Sequence, residues 1–300
     1  MAADSARMYN DRNVSRKHGR IKPGTTKFTA LYIFLGLYAA FSITIFVWVA
    51  LMSMKTNTDV LLYPPWHLPT TWQWDNYVKA WNNGVATMFK NSLIVTGIGT
   101  FFSVTISCLA AYPIARIKFR LSQPLLIFFL LGIMIPYMLT AIPLYMKIED
   151  IRQQYEIDSR LILVVLYTVS GFSFNTYVMT GFYKTLPYEM EEAAALDGAS
   201  PFRTFWQIML PLVRPGIASL AILNFVSLWN EFFYALLFTQ DKDKYTVTLG
   251  LVYLDQQAIY SGKWVGLFAS MTITMIPVLL IFAVLQRQIV RGLTVGAIKG

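Results

Sequence analysis

The sequence predicts an all-α membrane protein with six transmembrane helices. Of its 300 residues, 56% are hydrophobic and only 14% are charged, whereas charged residues make up about 25% of a typical soluble domain. The charges are also clustered, which leaves six long stretches with at most one charge each. Every stretch reaches the roughly 20 residues needed to cross a hydrocarbon core. They are residues 28–54, 91–115, 121–146, 161–183, 215–240 and 264–286.

The distribution of Lys and Arg predicts the orientation of the chain. An arm of residues 1–27 carries 7 of them ahead of the first helix. If this arm is cytoplasmic, the cytoplasmic segments hold 16 Lys and Arg and the outside segments hold 9, in agreement with the positive-inside rule. Both termini are therefore expected in the cytoplasm. The net charge of +9 follows from this topology, so we expect a lipid bilayer around the chain and no nucleic-acid partner.

The loop between the first and second helices is rich in aromatic residues: Trp66, Trp72, Trp74, Tyr77 and Trp81. Such residues commonly anchor a protein at the lipid headgroups. Anchoring is the favoured interpretation, and a docking surface for a partner outside the cell remains the alternative.

Two of the predicted helices contain residues that are unusual in a membrane span. The third helix contains Gly132, Pro136 and Pro143, and breaks of this kind are tolerated only where neighbours or a cavity satisfy the freed backbone groups. The fifth helix contains Glu231, the one acidic residue in a predicted span. An ionisable group in a membrane is a functional candidate by default. Three roles remain open for Glu231: lining a solute pathway, pairing within the bundle, or staying wet near the surface.

Metal and disulfide chemistry are not expected. Cys108 is the single cysteine, so no intramolecular disulfide can form. His18 and His67 lie apart from each other, with no metal-ligand spacing around them.

The loop between the fourth and fifth helices, residues 184–216, predicts two short helices joined by a turn. Pro187 can open the first helix. Gly198 can end it, because glycine tolerates the left-handed conformation of a helix C-terminus. Ser200 and Pro201 then form an N-cap and a first helical residue.

The apolar residues of this loop are too many for a solvated segment: Leu196, Phe202, Phe205, Trp206 and Ile208. They require a partner. Residue chemistry alone leaves two possibilities, a cytoplasmic docking element and an interfacial helix lying on lipid.

The same loop resembles the EAA loop of binding-protein-dependent ABC importers. That pattern is EAA, three residues, glycine, nine residues and I-x-L-P. It is matched here by Glu192, Ala193, Ala194, Gly198, Ile208, Leu210 and Pro211. In that family the loop forms a coupling helix that sits in a groove of a cytoplasmic ATPase.

The resemblance implies a role for each matched residue. Ala193 and Ala194 would allow close approach to the ATPase, and Gly198 would make the turn. Glu192 would meet a polar or basic group of the ATPase. Asp197, which precedes the turn, belongs to the same expected coupling surface.

Two further segments resemble carbohydrate importers of the maltose type. The segment that begins Trp229-Asn230-Glu231 is similar to a WNEF-type segment of that branch. This implies that Trp229, Asn230 and Glu231 belong to the translocation pathway, where an aromatic face and hydrogen-bonding groups would suit a sugar. In the maltose importer, however, the sugar is held mainly by the other membrane subunit.

The C-terminal tail, residues 289–300, is similar to the ending of the second membrane subunit of that branch. The resemblance implies that this tail reaches the interface between two ATPases. Gly292, Gly296 and Lys299 are the residues expected to contact them.

The implied machine imports a sugar or oligosaccharide across the bacterial plasma membrane. Residues 28–288 would form its transmembrane permease domain, and the partners would be a second, non-identical permease subunit, an ABC ATPase dimer and an extracytoplasmic solute-binding protein. The chain has no GxxxxGK[ST] loop to cradle a phosphate. ATP and Mg are therefore expected on the partner ATPases, and no enzymatic activity or cofactor is expected in this chain.

Other functions remain as alternatives. An importer permease could instead carry a polyol phosphate, an amino acid or a peptide. A secondary transporter would usually be larger and would place coupling-ion residues within its helices. A membrane-embedded enzyme would need a cluster of His, Asp or Glu at the interface.

Overall fold

A computed structural model describes the backbone of residues 25–297 and the side chains of residues 28–284 and 286. Throughout this part of the chain the regular secondary structure is helical, which confirms the all-α prediction. The first helices are α1 (Thr25–Ser53), α2 (Asn57–Leu62), α3 (Asp75–Ala80), α4 (Ala86–Arg116), α5 (Ser122–Met134), α6 (Ala141–Tyr155) and α7 (Ser159–Ser170). They are followed by α8 (Phe172–Thr185), α9 (Glu189–Leu196), α10 (Pro201–Leu212), α11 (Arg214–Trp229), α12 (Phe233–Phe238), α13 (Val247–Ser261) and α14 (Trp264–Ala297).

The chain divides into two compact units. The first, Met1–Trp48, contributes most of α1, and the second, Val49–Gly300, contains all the helices from α2 onward. The site described below lies entirely in the second unit.

Among the described residues, three helical segments are long and apolar enough to cross a membrane: Phe28–Ser53, Asp75–Arg116 and Trp264–Val284. Three bent pairs also qualify if each pair is taken as one span. They are α5 with the segment Tyr137–Tyr155, bent by 84°; α7 with α8, bent by 40°; and α10 with α11, bent by 72°. Length and composition therefore support three to six spans.

The apolar stretches predicted as the third, fourth and fifth helices are all interrupted, and the sequence predicts only the first of these interruptions. In the third, α5 ends at Met134, and Ile135 and Pro136 are extended, so the break expected at Pro136 is present. Pro143 falls in the first turn of α6, where a missing N–H is tolerated. The fourth bends at Gly171, and the fifth stops at Trp229 and resumes at Phe233.

Helix α4 is the centre of the second unit, and it packs against α7, α8 and α11. Small residues recur along it at every fourth position: Gly99, Ser103, Ser107 and Ala111. Spacing of this kind places small side chains on one face and lets neighbouring helices approach closely. A Cβ added at Gly99 would lie 2.9 Å from the Cβ of Tyr167 in α7. This close contact positions both α7 and the kink that follows it.

Candidate functional site

The loop expected to carry coupling folds into a two-helix bracket, α9 and α10 (residues 189–212). Gly198 adopts φ +75° in the turn between them. Ser200 then caps α10, because its hydroxyl oxygen accepts a hydrogen bond from the N–H of Arg203 at 3.3 Å. Pro201 occupies the first position of α10, where it costs no hydrogen bond. The bracket therefore forms from local sequence chemistry, as predicted.

The residues that match the EAA pattern divide into two groups. Glu192, Ala193 and Asp197 are exposed on α9 and its C-terminal end, which leaves them free to meet a partner. Ala194 is buried, and Ile208, Leu210 and Pro211 are half-buried in or beside the core that supports the bracket. The first group is thus available for contact, and the second group holds the bracket in place.

Of the five apolar residues that the sequence singles out in this loop, three remain exposed. Leu196 is 90% exposed, and Phe202 and Trp206 extend from the facing helix. The rings of Phe202 and Trp206 lie with their centroids 6.0 Å apart. Of the apolar residues that the sequence singles out in this loop, Phe205 is instead buried in the core and Ile208 is half-buried. The exposed three form what we call the apolar tip (Leu196, Phe202 and Trp206).

A residue that sequence reasoning missed fixes the bracket to the rest of the bundle. Arg116, in the last turn of α4, has a side chain that is 1% exposed. Its Nη2 lies 2.7 Å from Oε2 of Glu191, and its Nε donates to the same oxygen at 2.8 Å. Tyr112 donates its hydroxyl to Oε1 of Glu191 at 2.9 Å. The carboxyl group of Glu191 is therefore held by two side chains of α4.

The same arginine also binds the end of α8. Its Nη1 donates to the carbonyl oxygen of Leu186 at 2.9 Å, and its Nη2 donates to that of Pro187 at 3.1 Å. Its guanidinium lies 3.8 Å from the ring centroid of Tyr188. Arg116 thus joins α4, α8 and α9 at one point, which we call the clamp (Arg116 with Glu191). The sequence offers one indication of this contact. Arg116 follows an apolar stretch and is predicted to lie on the same side of the membrane as the Glu-rich loop.

A second candidate region is an open cavity of about 1030 Å³. Its walls come from the break after α5, from the kink between α7 and α8, and from α11 through the start of α12. All three interruptions in the predicted spans therefore border one cavity. This is the arrangement in which irregular backbone is tolerated at membrane depth.

Glu231 lies on the wall of this cavity, in the break between α11 and α12. Its Oε1 accepts the N–H of Tyr234 at 2.8 Å, and its Oε2 accepts the N–H of Ala235 at 3.3 Å. Tyr167 donates its hydroxyl to Oε2 at 2.8 Å. Thr248 donates to the carbonyl oxygen of Glu231. Glu231 is thus paired within the bundle, and it also lines the cavity.

The other two residues expected in the pathway lie in different places. Asn230 is exposed and lines the cavity beside Glu231. Trp229 is 3% exposed and is absent from the cavity wall; its ring packs between Phe89 and Phe225. The expected aromatic face for a sugar is therefore not Trp229, which turns into the core at the end of α11.

We expect replacement of Glu231 by alanine to destabilise the protein by about 2 kcal/mol, since the hydroxyl of the buried Tyr167 and two N–H groups of α12 lose their acceptors. Thermal unfolding of the purified protein in detergent measures this effect. Asn230→Ala is the matched control, because Asn230 bonds only to Val226 of its own helix. Equal stability of the two variants would contradict the assigned role of Glu231.

The expected contacts of the C-terminal tail lie outside the part of the chain described in full. The backbone of Gly292 and Gly296 continues α14, and Lys299 lies outside the described residues. Among the described residues, no three His, Cys, Asp or Glu side chains come close enough to hold a metal ion.

Comparison with known proteins gives the site its context. Residues 103–295 match the family model described as "Binding-protein-dependent transport system inner membrane component". The diacetylchitobiose uptake system permease protein NgcG of Streptomyces coelicolor is 31% identical over 91% of this chain and 90% of its own length. The trehalose/maltose transport system permease protein MalG of Thermococcus litoralis is 31% identical over 85% of this chain and 91% of its own length.

A solved structure has the same fold. It is a chain from the crystal structure of a bacterial ABC transporter involved in the import of the acidic polysaccharide alginate. The TM-score is 0.74 at 17% identity, and the match covers 90% of this chain and 99% of that one.

Proposed function

This chain belongs to the family of binding-protein-dependent transport system inner membrane components, and we propose that it is a permease subunit of an ATP-driven importer for a sugar or oligosaccharide. Its relatives include the permeases of diacetylchitobiose and of trehalose and maltose systems. The observation that carries the proposal is the bracket, which presents an exposed apolar tip on a base clamped to two helices of the bundle.

The bracket couples the permease to an ABC ATPase dimer. Docking in a groove accounts for the exposure of Leu196, since an isolated surface gains nothing from displaying so much apolar area. Glu192, Ala193 and Asp197 are exposed on the same helix or at its C-terminal end and can contact the same partner. ATP and Mg bind to that partner, where hydrolysis takes place.

The chain crosses the membrane six times, with each bent pair forming one span, and both termini are cytoplasmic. The three bent pairs and the excess of Lys and Arg in the assigned cytoplasmic segments support this topology. The tail with Gly292, Gly296 and Lys299 then lies on the same side as the bracket, within reach of the ATPases.

The solute passes along the cavity that Asn230 and Glu231 line. A second, non-identical permease subunit closes the open side of this cavity, and an extracytoplasmic binding protein delivers the solute. In the two conformations of the transporter, the cavity faces alternately outward and inward.

Affinity purification of the tagged chain from its native membrane, followed by uptake in proteoliposomes, tests the proposal. We expect an ATP-binding-cassette subunit to co-purify and uptake to require ATP. The solute panel consists of diacetylchitobiose, trehalose, maltose and an alginate oligosaccharide. A chain that purifies alone and takes up solute without ATP would instead be a secondary transporter.

The apolar tip provides a separate prediction. Leu196→Asp will lower the amount of co-purified ATPase by at least about tenfold, because a buried apolar anchor typically contributes at least about 2 kcal/mol to binding. Leu62→Asp is the matched control, since Leu62 is also highly exposed and lies on α2, outside the bracket. Equal recovery of ATPase with both variants would show that the apolar tip is not part of the docking surface.

A further inference from the structure

A buried cluster of polar side chains lies at the kink between α7 and α8, where these helices meet α4 and α11. Asn175 of α8 is 1% exposed, and Asn224 of α11 is 8% exposed. The Nδ2 of Asn175 donates to the hydroxyl oxygen of Ser103 at 3.0 Å. Both asparagines also belong to the wall of the cavity. The cluster therefore connects the interior of the bundle to the solute pathway.

The carbonyl oxygens of the two asparagines lack donors. Oδ1 of Asn175 and Oδ1 of Asn224 are both buried, and neither has a hydrogen-bond partner among the described residues. Buried polar atoms are nearly always paired, so each exception requires an explanation. Two such exceptions on adjacent helices, both bordering the same cavity, indicate a partner that is supplied from the cavity.

Gly171 makes room for this cluster. A Cβ at this position would lie 2.4 Å from Nδ2 of Asn224 and 2.9 Å from the hydroxyl oxygen of Ser103. Its φ is −84°, so the backbone conformation does not demand glycine. The glycine is needed because the amide of Asn224 occupies the space where a side chain would begin.

The charge of the cavity wall limits which chemical group can donate hydrogen bonds to the two asparagines. Among the residues that line the cavity, Glu231 is the only acidic or basic one, and both of its carboxyl oxygens already accept hydrogen bonds. The wall contributes no Lys or Arg that could compensate a carboxylate, sulfonate or phosphate group. Its other polar groups are amides and hydroxyls, such as those of Ser173, Ser227 and Tyr137. Groups of this kind suit neutral hydroxyls.

We propose that Asn175 and Asn224 form a subsite at which this subunit itself binds the hydroxyl groups of an uncharged saccharide. The inference rests on the proposed function and narrows it, because it predicts an uncharged saccharide as the solute in preference to an anionic sugar or a polyol phosphate. The terminal torsion of an asparagine side chain is soft, so a small rotation turns each amide toward a hydroxyl that enters the cavity. The solute then supplies the donors that the two oxygens lack.

Asn224→Leu tests this subsite in the purified, reconstituted transporter. Leucine has the same number and branching of side-chain heavy atoms and removes a buried oxygen that has no donor, so the variant should be about as stable as the wild type. The concentration for half-maximal uptake of the transported saccharide should nevertheless rise about fivefold to tenfold, as expected when one or two hydrogen bonds to the solute are lost. A purely structural asparagine would not produce this combination.

Asn175→Leu should raise the half-saturating concentration similarly, with some loss of stability because Ser103 loses its partner. Asn82→Leu, at an exposed position outside the cavity wall, is the matched control and should behave as the wild type. Unchanged half-saturating concentrations in both cluster variants would overturn the inference, as would preferential transport of the alginate oligosaccharide of the panel. Failure of the proposed function appears differently, as loss of ATPase co-purification or of ATP-dependent uptake in the wild type.

Discussion

Replacement of Arg116 by methionine will lower ATP-driven uptake by at least about tenfold, the largest effect that we expect from a residue outside the EAA pattern. The guanidinium of Arg116 is almost fully buried against Glu191. Removing one partner of a buried ion pair typically costs about 3–5 kcal/mol, since the other charge remains unpaired. The carbonyl oxygens of Leu186 and Pro187 lose their donors in the same substitution.

The measurement is the ratio of solute imported to ATP hydrolysed in proteoliposomes. Arg120→Met is the matched control, because Arg120 lies four residues after Arg116, between α4 and α5, and its side chain is exposed. If the clamp transmits motion, Arg116→Met will lower this ratio even in the fraction of complexes that retain their ATPase. A ratio equal to that of the control would limit Arg116 to folding.

A double-mutant cycle separates the pair from its surroundings. Glu191→Gln leaves an acceptor for Tyr112 and removes the charge. Because Arg116 and Glu191 contact each other directly, the double variant Arg116→Met with Glu191→Gln should lose less transport than the sum of the two single effects. Additive losses would show that the two residues act independently.

Gly198→Val will reduce coupled uptake about tenfold through the backbone of the turn. Gly198 has φ +75°, which costs a residue with a Cβ roughly 1–2 kcal/mol and costs a β-branched residue more. Nothing lies within 4 Å of a Cβ built at this position. We therefore attribute the loss to conformational strain, because no other part of this chain crowds the position.

This difference determines the control for the glycine prediction. Gly198→Asn adds a side chain of comparable size that tolerates the left-handed conformation. It should therefore retain most of the import activity. Equal loss in the valine and asparagine variants would mean that the partner contacts the glycine surface directly and that strain is not the cause.

The bracket could be predicted from the sequence because its determinants are local. Gly198, Ser200 and Pro201 act on residues within four positions of themselves through caps and backbone preferences. The break at Pro136 is similar, because proline restricts its own residue and the one before it. At these positions the local sequence is enough to predict the backbone conformation.

The clamp and the break at Glu231 could not be predicted in that way. Glu191 and Arg116 are 75 positions apart, and their neighbours reveal nothing about the contact. Residues 230–232 contain neither glycine nor proline, and Asn230 alone is only a weak signal for the end of a helix. The interruption depends on distant groups, since Tyr167 and Thr248 bind the side chain and the carbonyl oxygen of Glu231.

The positions of the clamp and of Gly171 give α8 the geometry of a lever arm. The helix has 14 residues and is therefore about 21 Å long, with its far end held by Arg116 and its near end at the kink. A displacement of about 2 Å at the held end, which is typical of helix shifts in switching proteins, corresponds to a rotation of about 5° about Gly171. Because Asn175 lies one helical turn from that pivot, such a rotation would reorient it while displacing it by only about 0.5 Å. In the proposed importer, motion of the ATPases would then change the affinity for the solute by rotating α8, and so the amide of Asn175, without translating the helix.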